Sequence, residues 1–330
     1  MNPAKQRIEW IDAAKGIGIL MVMFGHNWLD WRYCYYFYAF HMPLFFILAG
    51  VTFSDSRSPL AFICHKAKCL LVPYLFFVVC NLAFRFLLSH THGNDYDAGA
   101  DALAFLLQQR HTYLWFLTVL FLSEIAVYCL SKGELLKNLK VGGVILALLI
   151  SIHAVSVYTG YTDFLWNIDL VPMASVYILL GIFYKRGQQR LHFEKKKTVM
   201  IGLFLLSVAA ATINFVLFDK VDILGDSYGS LPLFYVAAVS ATYAVVLLLK
   251  NIKIPRLLLF LGANSLLYYG LHRMVIELLF VVWGKLGLVY DKLSLMSLCV
   301  ALLNVALTVA ILFPVVKFIN KRCPWAIGKF

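Results

Sequence analysis

Long, unbroken apolar runs constrain this chain more than any other feature. Hydrophobic residues make up 62% of its 330 residues and charged residues only 14%, and the mean hydropathy is +0.81. A soluble protein of this size cannot bury so much apolar surface, so the bilayer must serve as its solvent. In lipid each backbone polar group needs an internal partner, and the runs lack the short alternating pattern of a barrel. The sequence therefore predicts an all-α, polytopic membrane protein.

Ten apolar runs of about 18–23 residues predict ten membrane spans within one membrane-embedded domain over residues 1–330. The predicted spans cover 15–31, 36–54, 69–89, 113–131, 141–158, 164–184, 198–218, 231–249, 257–283 and 296–316. The ninth is long enough to tilt or to break near Gly262 or Gly270. Gly16 and Gly18 are too closely spaced for a phosphate-binding loop, and they predict close helix packing instead.

The distribution of basic residues predicts the orientation of the chain. With the amino terminus in the cytoplasm, 22 of the 29 lysine and arginine residues fall in cytoplasmic segments. The five in the opposite loops are Arg32, Arg110, Lys220, Lys285 and Lys292. This positive-inside asymmetry places both termini in the cytoplasm and accounts for the net charge of +12. Because the basic residues are scattered over six loops, nucleic-acid binding is the poorer explanation.

The first span carries ionisable residues that its apolar surroundings do not explain. Eleven positions separate Lys15 from His26, which is about 16 Å of helical rise and about 20° from a whole number of turns. Both side chains therefore point to the same side, with Lys15 and Asp12 at the membrane entry and His26 a little past the midplane. Alone, Lys15 would be a positive-inside anchor and Asp12 an interfacial helix cap. Together with His26 they predict a site that runs inward from the cytoplasmic surface.

A second histidine lies in the outer half of the second span. A charge at the bilayer centre costs at least ~2.5 kcal/mol, so ionisable residues inside spans need a partner or a function. His41 is expected about 6–8 Å below the outer surface. It is either an interfacial histidine or a member of a cavity shared with His26.

Further candidates lie in the fourth and ninth spans. Glu124 is deep in the fourth span, so it needs a partner or must be protonated. His272 and Arg273, in the ninth span, could supply that partner, or could form an internal pair with Glu277 one turn later. The seven cysteines show no CxxC spacing and no metal-like pairing with histidine, so no metal site is predicted.

Two segments resemble the acyltransferase-3 family of membrane O-acyltransferases, particularly the branch related to fucose 4-O-acetylases. They are residues 7–26, RIEWIDAAKGIGILMVMFGH, and residues 40–50, FHMPLFFILAG. Weaker similarities, in the family's order, lie at 70–74, 114–117 and 268–272. The family's basic residue, followed by a histidine after ten intervening positions, matches Lys15 and His26. Much of the family has arginine there and the fucose-acetylase-like branch commonly has lysine, which implies a point-charge contact to phosphate.

The resemblance implies transfer of an acyl group, usually acetyl from acetyl-CoA, to a hydroxyl of a cell-envelope polysaccharide or lipid-linked glycan at the bacterial cytoplasmic membrane. Lys15 would hold the coenzyme A phosphates, and Asp12 would orient Lys15 or cap the helix. His26 would be the general base for the acceptor hydroxyl, or would carry the acetyl group transiently. His41 would bind the acceptor or assist proton transfer. The remaining members of this cavity are Glu124 and His272.

Two other functions compete with acyl transfer. A proton-coupled transporter of a small polar solute or glycan precursor is the main alternative, because buried histidine, glutamate and arginine also build proton relays. The sequence shows no internal repeat, which counts against it. A non-catalytic membrane sensor or assembly partner would use the same polar residues only to hold helices together.

Overall fold

The computed structural model describes residues 8–92, 96–108, 112–133, 135–162, 164–187 and 197–329. Arg7, Arg110 and the basic stretch 188–196 lie outside the described residues. The α-helices of the described part are α1 Glu9–Gly25, α2 Trp31–Thr52, α3 Pro59–Lys66, α4 Val72–His92, α5 Ala98–Leu107, α6 Trp115–Lys132, α7 Leu139–Thr159, α8 Val171–Gly187, α9 Lys197–Leu217, α10 Leu231–Asn251, α11 Arg256–Ala263, α12 Ser265–Lys285 and α13 Leu295–Arg322. A π-helical turn at Ala67–Leu71 joins α3 to α4, and a 3-10 helix at Leu165–Leu170 precedes α8.

Nine helical stretches in this part of the chain are long and apolar enough to cross a membrane. They correspond to the second to tenth predicted spans, so the chain is a polytopic helical membrane protein. The ninth predicted span is broken near Gly262, as expected, because α11 ends at Ala263 and α12 begins at Ser265.

The first predicted span, 15–31, has the wrong bounds, because α1 begins at Glu9 and ends at Gly25. The predicted span starts at Lys15 and leaves Glu9 and Asp12 before it. Instead Glu9 and Asp12 lie in the first turn of α1, where carboxylates interact favourably with the helix dipole. The 17 residues of α1 are about 25 Å long, which is shorter than a ~30 Å hydrocarbon core. For this reason α1 is not one of the nine stretches.

The chain divides into two compact units. The first unit comprises Met1–Leu48, Arg186–Asp222 and Ser227–Leu312. The second unit comprises Ala49–Lys185, Ile223–Asp226 and Phe313–Phe330. Helices α2 and α13 contribute residues to both units, since each contains a unit boundary.

In the first unit, α9 packs against α10 and α1 packs against α11. The contact between α1 and α11 is so close that a Cβ atom at Gly262 would overlap the backbone oxygen of Asp12. A Cβ atom at Gly16 would likewise overlap the backbone oxygen of Leu258, and one at Gly18 would collide with the ring of Phe45. The predicted packing role of Gly16 and Gly18 is therefore confirmed.

In the second unit, α6 packs against the π-helical turn and against the 3-10 helix Leu165–Leu170. The rings of Phe62 in α3 and Tyr128 in α6 are stacked, with centroids 4.2 Å apart. Gly50, in the last turn of α2, contacts the backbone of Ile178 in α8 so closely that a side chain there would overlap it.

Gly262→Ala should lower the free energy of unfolding by about 1–3 kcal/mol, because the added methyl group forces α1 and α11 apart. Gly202→Ala in α9 is the matched control, since a Cβ atom there would have no heavy atom within 4 Å, and alanine favours a helix. Thermal unfolding of both variants in detergent micelles measures the difference. A Gly262→Ala protein as stable as the wild type would contradict the close contact.

Candidate active site

His26 lies at the carboxyl end of α1, directly after the last helical residue, Gly25. Its backbone N–H donates to Val22 O at 3.1 Å, which closes the last turn. The sequence predicts His26 a little past the middle of a span over 15–31. Because α1 begins at Glu9, the structure instead has His26 at the end of the helix.

A hydrogen bond joins the rings of His26 and His272, which are 246 positions apart in the chain. His26 Nδ1 lies 2.6 Å from His272 Nε2, and the ring planes are nearly parallel at 14°. His272 is in α12, which packs against α1, and its side chain is buried. The structure thus brings together two histidines that the sequence placed in one cavity.

The backbone partners of His272 determine which nitrogen of each ring donates. His272 Nδ1 lies 3.0 Å from Tyr268 O and 2.8 Å from Tyr269 O. A carbonyl oxygen only accepts, so His272 Nδ1 carries the hydrogen and Nε2 of the neutral ring has a lone pair. His26 must then donate from Nδ1, and the lone pair of its neutral ring is on Nε2. A general base or a nucleophile needs such a lone pair.

A cavity of about 180 Å³ opens beside His26. Its walls come from the end of α1, from α2 and from α12, and they include Tyr38, Arg273 and Glu277. Arg273 Nε donates to Glu277 Oε1 at 3.1 Å across one turn of α12. Of the two partnerships predicted for Arg273, the structure therefore contains the internal pair with Glu277. Within the described ranges, no three His, Cys, Asp or Glu side chains gather as metal ligands would.

A buried amide network holds the chain directly after His26. Asn304 Nδ2 in α13 donates to Asn27 Oδ1 at 2.8 Å, and Trp283 Nε1 in α12 donates to Asn304 Oδ1 at 2.8 Å. Asn27 Nδ2 in turn donates to Met23 O at 2.8 Å. The sequence-based prediction does not include this network. The available signal was an asparagine, Asn304, inside the tenth predicted span, since amides there hydrogen-bond between helices.

His41 belongs to the same unit as His26 and is buried in α2. Because α2 begins at Trp31, His41 lies about 15 Å along the helix, and its depth of about 6–8 Å below the outer surface stays a prediction. His41 Nδ1 donates to Phe37 O at 2.7 Å. Its ring lies 5.1 Å from the ring of Tyr38, whose hydroxyl donates to Gly25 O at 3.0 Å. Tyr38 therefore contacts both His41 and the end of α1.

Lys15 and Asp12 both lie within α1, with Asp12 in the first turn. The sequence placed Lys15 where the segment enters the membrane, but the earlier start of α1 puts it nearly two turns inside the helix. The side chain of Lys15 is half-buried. Since α1 is continuous up to Gly25, the rise from Lys15 to His26 remains about 16 Å.

Glu124 belongs to the second unit, where it pairs with Lys66. Lys66 Nζ lies 2.5 Å from Glu124 Oε1, and the two side chains are 21% and 5% exposed. Lys66 is not among the predicted candidates, because residues 54–68 lie between two predicted spans, in a predicted cytoplasmic loop. The structure instead places Lys66 at the end of α3, directly before the π-helical turn, an irregularity that frequently occurs at functional sites.

Comparison with known proteins identifies the family of this chain. The family model for an acyltransferase domain, acyltransferase-3, matches residues 8–316. No curated protein and no solved structure matches the chain. The family match includes α1 and α12, which carry His26 and His272, and it favours an enzyme over the predicted transporter or sensor. The chain therefore belongs to the acyltransferase-3 family, and it is a multi-pass membrane acyltransferase.

Proposed function

We propose that this enzyme transfers an acetyl group from acetyl-CoA to a hydroxyl of a cell-envelope polysaccharide or lipid-linked glycan, with His26 as the general base. The observation that carries the proposal is the hydrogen bond of His26 Nδ1 to His272 at the edge of a cavity. This bond leaves the lone pair of His26 on Nε2, in a protein whose family transfers acyl groups.

The chemistry at His26 is a direct acyl transfer. His26 Nε2 takes the proton of the acceptor hydroxyl while the hydroxyl oxygen attacks the thioester carbonyl carbon. The carbon–sulfur bond then breaks, and the coenzyme A thiolate receives the proton from the imidazolium. His272 Nε2 accepts the Nδ1–H of His26 throughout, so it stabilises the imidazolium and holds the ring in place. A transient acetyl group on His26 would use the same nitrogen.

Lys15 and Asp12 serve the donor in this proposal. Lys15 binds the coenzyme A phosphates as a point charge, and Asp12 orients Lys15. The rise of about 16 Å from Lys15 to His26 is spanned by the extended pantetheine arm. Lysine at this position also supports a place in the branch related to fucose 4-O-acetylases.

The proposed orientation separates donor from acceptor. The distribution of basic residues puts the start of α1 at the cytoplasmic side of a bacterial inner membrane. The cavity beside His26, at the other end of α1, then faces the outer side, where envelope glycans are. The acetyl group therefore crosses most of the bilayer within the protein.

His26→Ala should reduce acetyl transfer by about 10²–10⁴-fold, because the general base is lost, while the protein remains inserted in the membrane. The measurement supplies labelled acetyl-CoA to membranes and follows acetate in the glycan by mass spectrometry. His90→Ala is the control, because His90 is an exposed histidine in α4. Unchanged O-acetylation in His26→Ala would exclude His26 as base and as carrier.

His272→Ala should lower kcat roughly 10- to 150-fold, since a hydrogen bond to a charged group contributes about 1.5–3 kcal/mol. The KM values for donor and acceptor should change little, because His272 acts through His26. His272→Gln should restore part of kcat, as its side-chain oxygen can accept the Nδ1–H of His26. If the glutamine variant is as slow as the alanine variant, acceptance of that hydrogen is not the role of His272.

Lys15→Ala should raise the KM for acetyl-CoA by roughly tenfold, because loss of one hydrogen bond to a charged group weakens binding by about that factor. The KM for the acceptor should change little. Lys15→Arg is the control, because it retains the positive charge at the same position. Steady-state kinetics with each substrate varied in turn separate the two constants. An unchanged KM for acetyl-CoA would mean that Lys15 does not bind the donor and contributes only to the orientation of the chain in the membrane.

A further inference from the structure

The cavity beside His26 has a second wall that the proposed chemistry does not use. This wall consists of Trp28, Phe280, Arg273 and Glu277, all of which line the cavity together with His26. The sequence does not single out Trp28 or Phe280, and it considers Arg273 and Glu277 only as an internal pair or, for Arg273, as a partner of Glu124. Two of the four wall residues are aromatic and two form an ion pair, which is the combination of contacts that one sugar ring can use.

The aromatic part of the wall is Trp28 with Phe280. Their ring centroids lie 5.2 Å apart, and the side chain of Trp28 is 65% exposed. The ammonium group of Lys292 lies 5.9 Å from the Trp28 ring centroid. Tryptophan at a membrane boundary often anchors a helix in the headgroup layer. Trp28 differs from such an anchor because it also lines the cavity beside His26, which is two positions earlier in the chain.

The polar part of the wall is the Arg273–Glu277 pair. The side chains of Arg273 and Glu277 are 43% and 35% exposed, so both remain accessible from the cavity. A guanidinium has five N–H donors and a carboxylate has two acceptor oxygens, whereas the hydrogen bond between these two side chains joins only Arg273 Nε and Glu277 Oε1. A sugar hydroxyl both donates and accepts, so adjacent hydroxyls match this pair. Because the two charges offset each other, the pair favours an uncharged ligand over an anion.

We propose that this wall is the acceptor subsite and that it binds one uncharged pyranose ring. The inference rests on the proposed function and names the acceptor class for it. The apolar C–H face of the sugar stacks on the ring of Trp28, which Phe280 supports from the cavity wall, as an aromatic face allows. Hydroxyls of the same ring bind Arg273 and Glu277, and one further hydroxyl points to His26 Nε2.

The cavity is small, about 180 Å³, which suits a single sugar ring better than a longer segment of glycan. A longer glycan therefore inserts one sugar and leaves the rest of its chain outside. Stacking on aromatic rings tolerates several sugars, so the positions of Arg273 and Glu277 decide which hydroxyl reaches His26.

The test is direct binding to the purified full chain in detergent micelles, measured by saturation-transfer NMR. The probes are methyl α-D-glucopyranoside and methyl α-D-galactopyranoside, which are uncharged, and methyl α-D-glucuronide, which is an anion. Wild-type protein should transfer saturation to the ring C–H protons of an uncharged probe more strongly than to those of the glucuronide.

Trp28→Ala and Glu277→Gln should each weaken binding of the uncharged probe by about tenfold or more, as loss of a central contact does. Trp325→Ala is the matched control, because Trp325 is 50% exposed and belongs to the other unit. Melting temperatures check that each variant is folded. Trp28 is largely exposed, and glutamine has nearly the same shape as Glu277, so both variants should melt near the wild-type temperature.

Three results would overturn the proposal: no binding of either uncharged probe, binding that persists in both variants, or stronger binding of the glucuronide. Because this measurement needs no donor and no transfer, it is independent of the proposed function. Sugar binding without any acetyl transfer from acetyl-CoA would contradict the enzymatic proposal and retain the sugar subsite. Acetyl transfer with unchanged acceptor KM in Trp28→Ala would retain the enzyme and exclude this acceptor subsite.

Discussion

The hydrogen bond between His26 and His272 is the contact on which the candidate active site depends. It connects the end of α1 to the middle of α12, and the two backbone carbonyls that accept from His272 determine which nitrogen of His26 has the lone pair. A buried imidazole without a partner would be costly, because transfer of a polar group out of water needs a compensating hydrogen bond. The hydrogen bond between His26 and His272 supplies this partner, and it also leaves His26 Nε2 with the lone pair that a general base needs.

The surroundings of this bond keep the end of α1 in place. The amide network of Asn27, Asn304 and Trp283 ties the residue after His26 to α12 and α13. At the opposite end of α1, the close contact of Asp12 with Gly262 leaves no room for a side chain between the helices. A polar network at one end and backbone contact at the other restrict sliding of α1, so the distance from Lys15 to His26 remains that of a rigid helix.

Polar residues inside the predicted spans indicated which side chains need a partner, but not always which partner they have. Arg273 pairs with Glu277 within one turn, which helical spacing alone allows one to predict. Glu124, by contrast, pairs with Lys66, which the sequence placed in a loop. The pairing depends on how α3 and the π-helical turn bring Lys66 to α6, and no local pattern encodes that approach. The same holds for Asn27 and Asn304.

The sequence by itself determined the helical membrane class, most of the spans, the family and the identity of His26 and His272 as candidates. Hydropathy and charge decide the membrane class and the spans, because they act on each segment separately, whereas the resemblance to the family is carried by the motifs at 7–26, 40–50 and 268–272. Only the tertiary structure decided that the two histidines share a hydrogen bond, that α1 starts at Glu9, and that Trp28 and Glu277 face the same cavity as His26. Contacts between residues hundreds of positions apart depend on helix packing, which requires the whole chain to be placed in space.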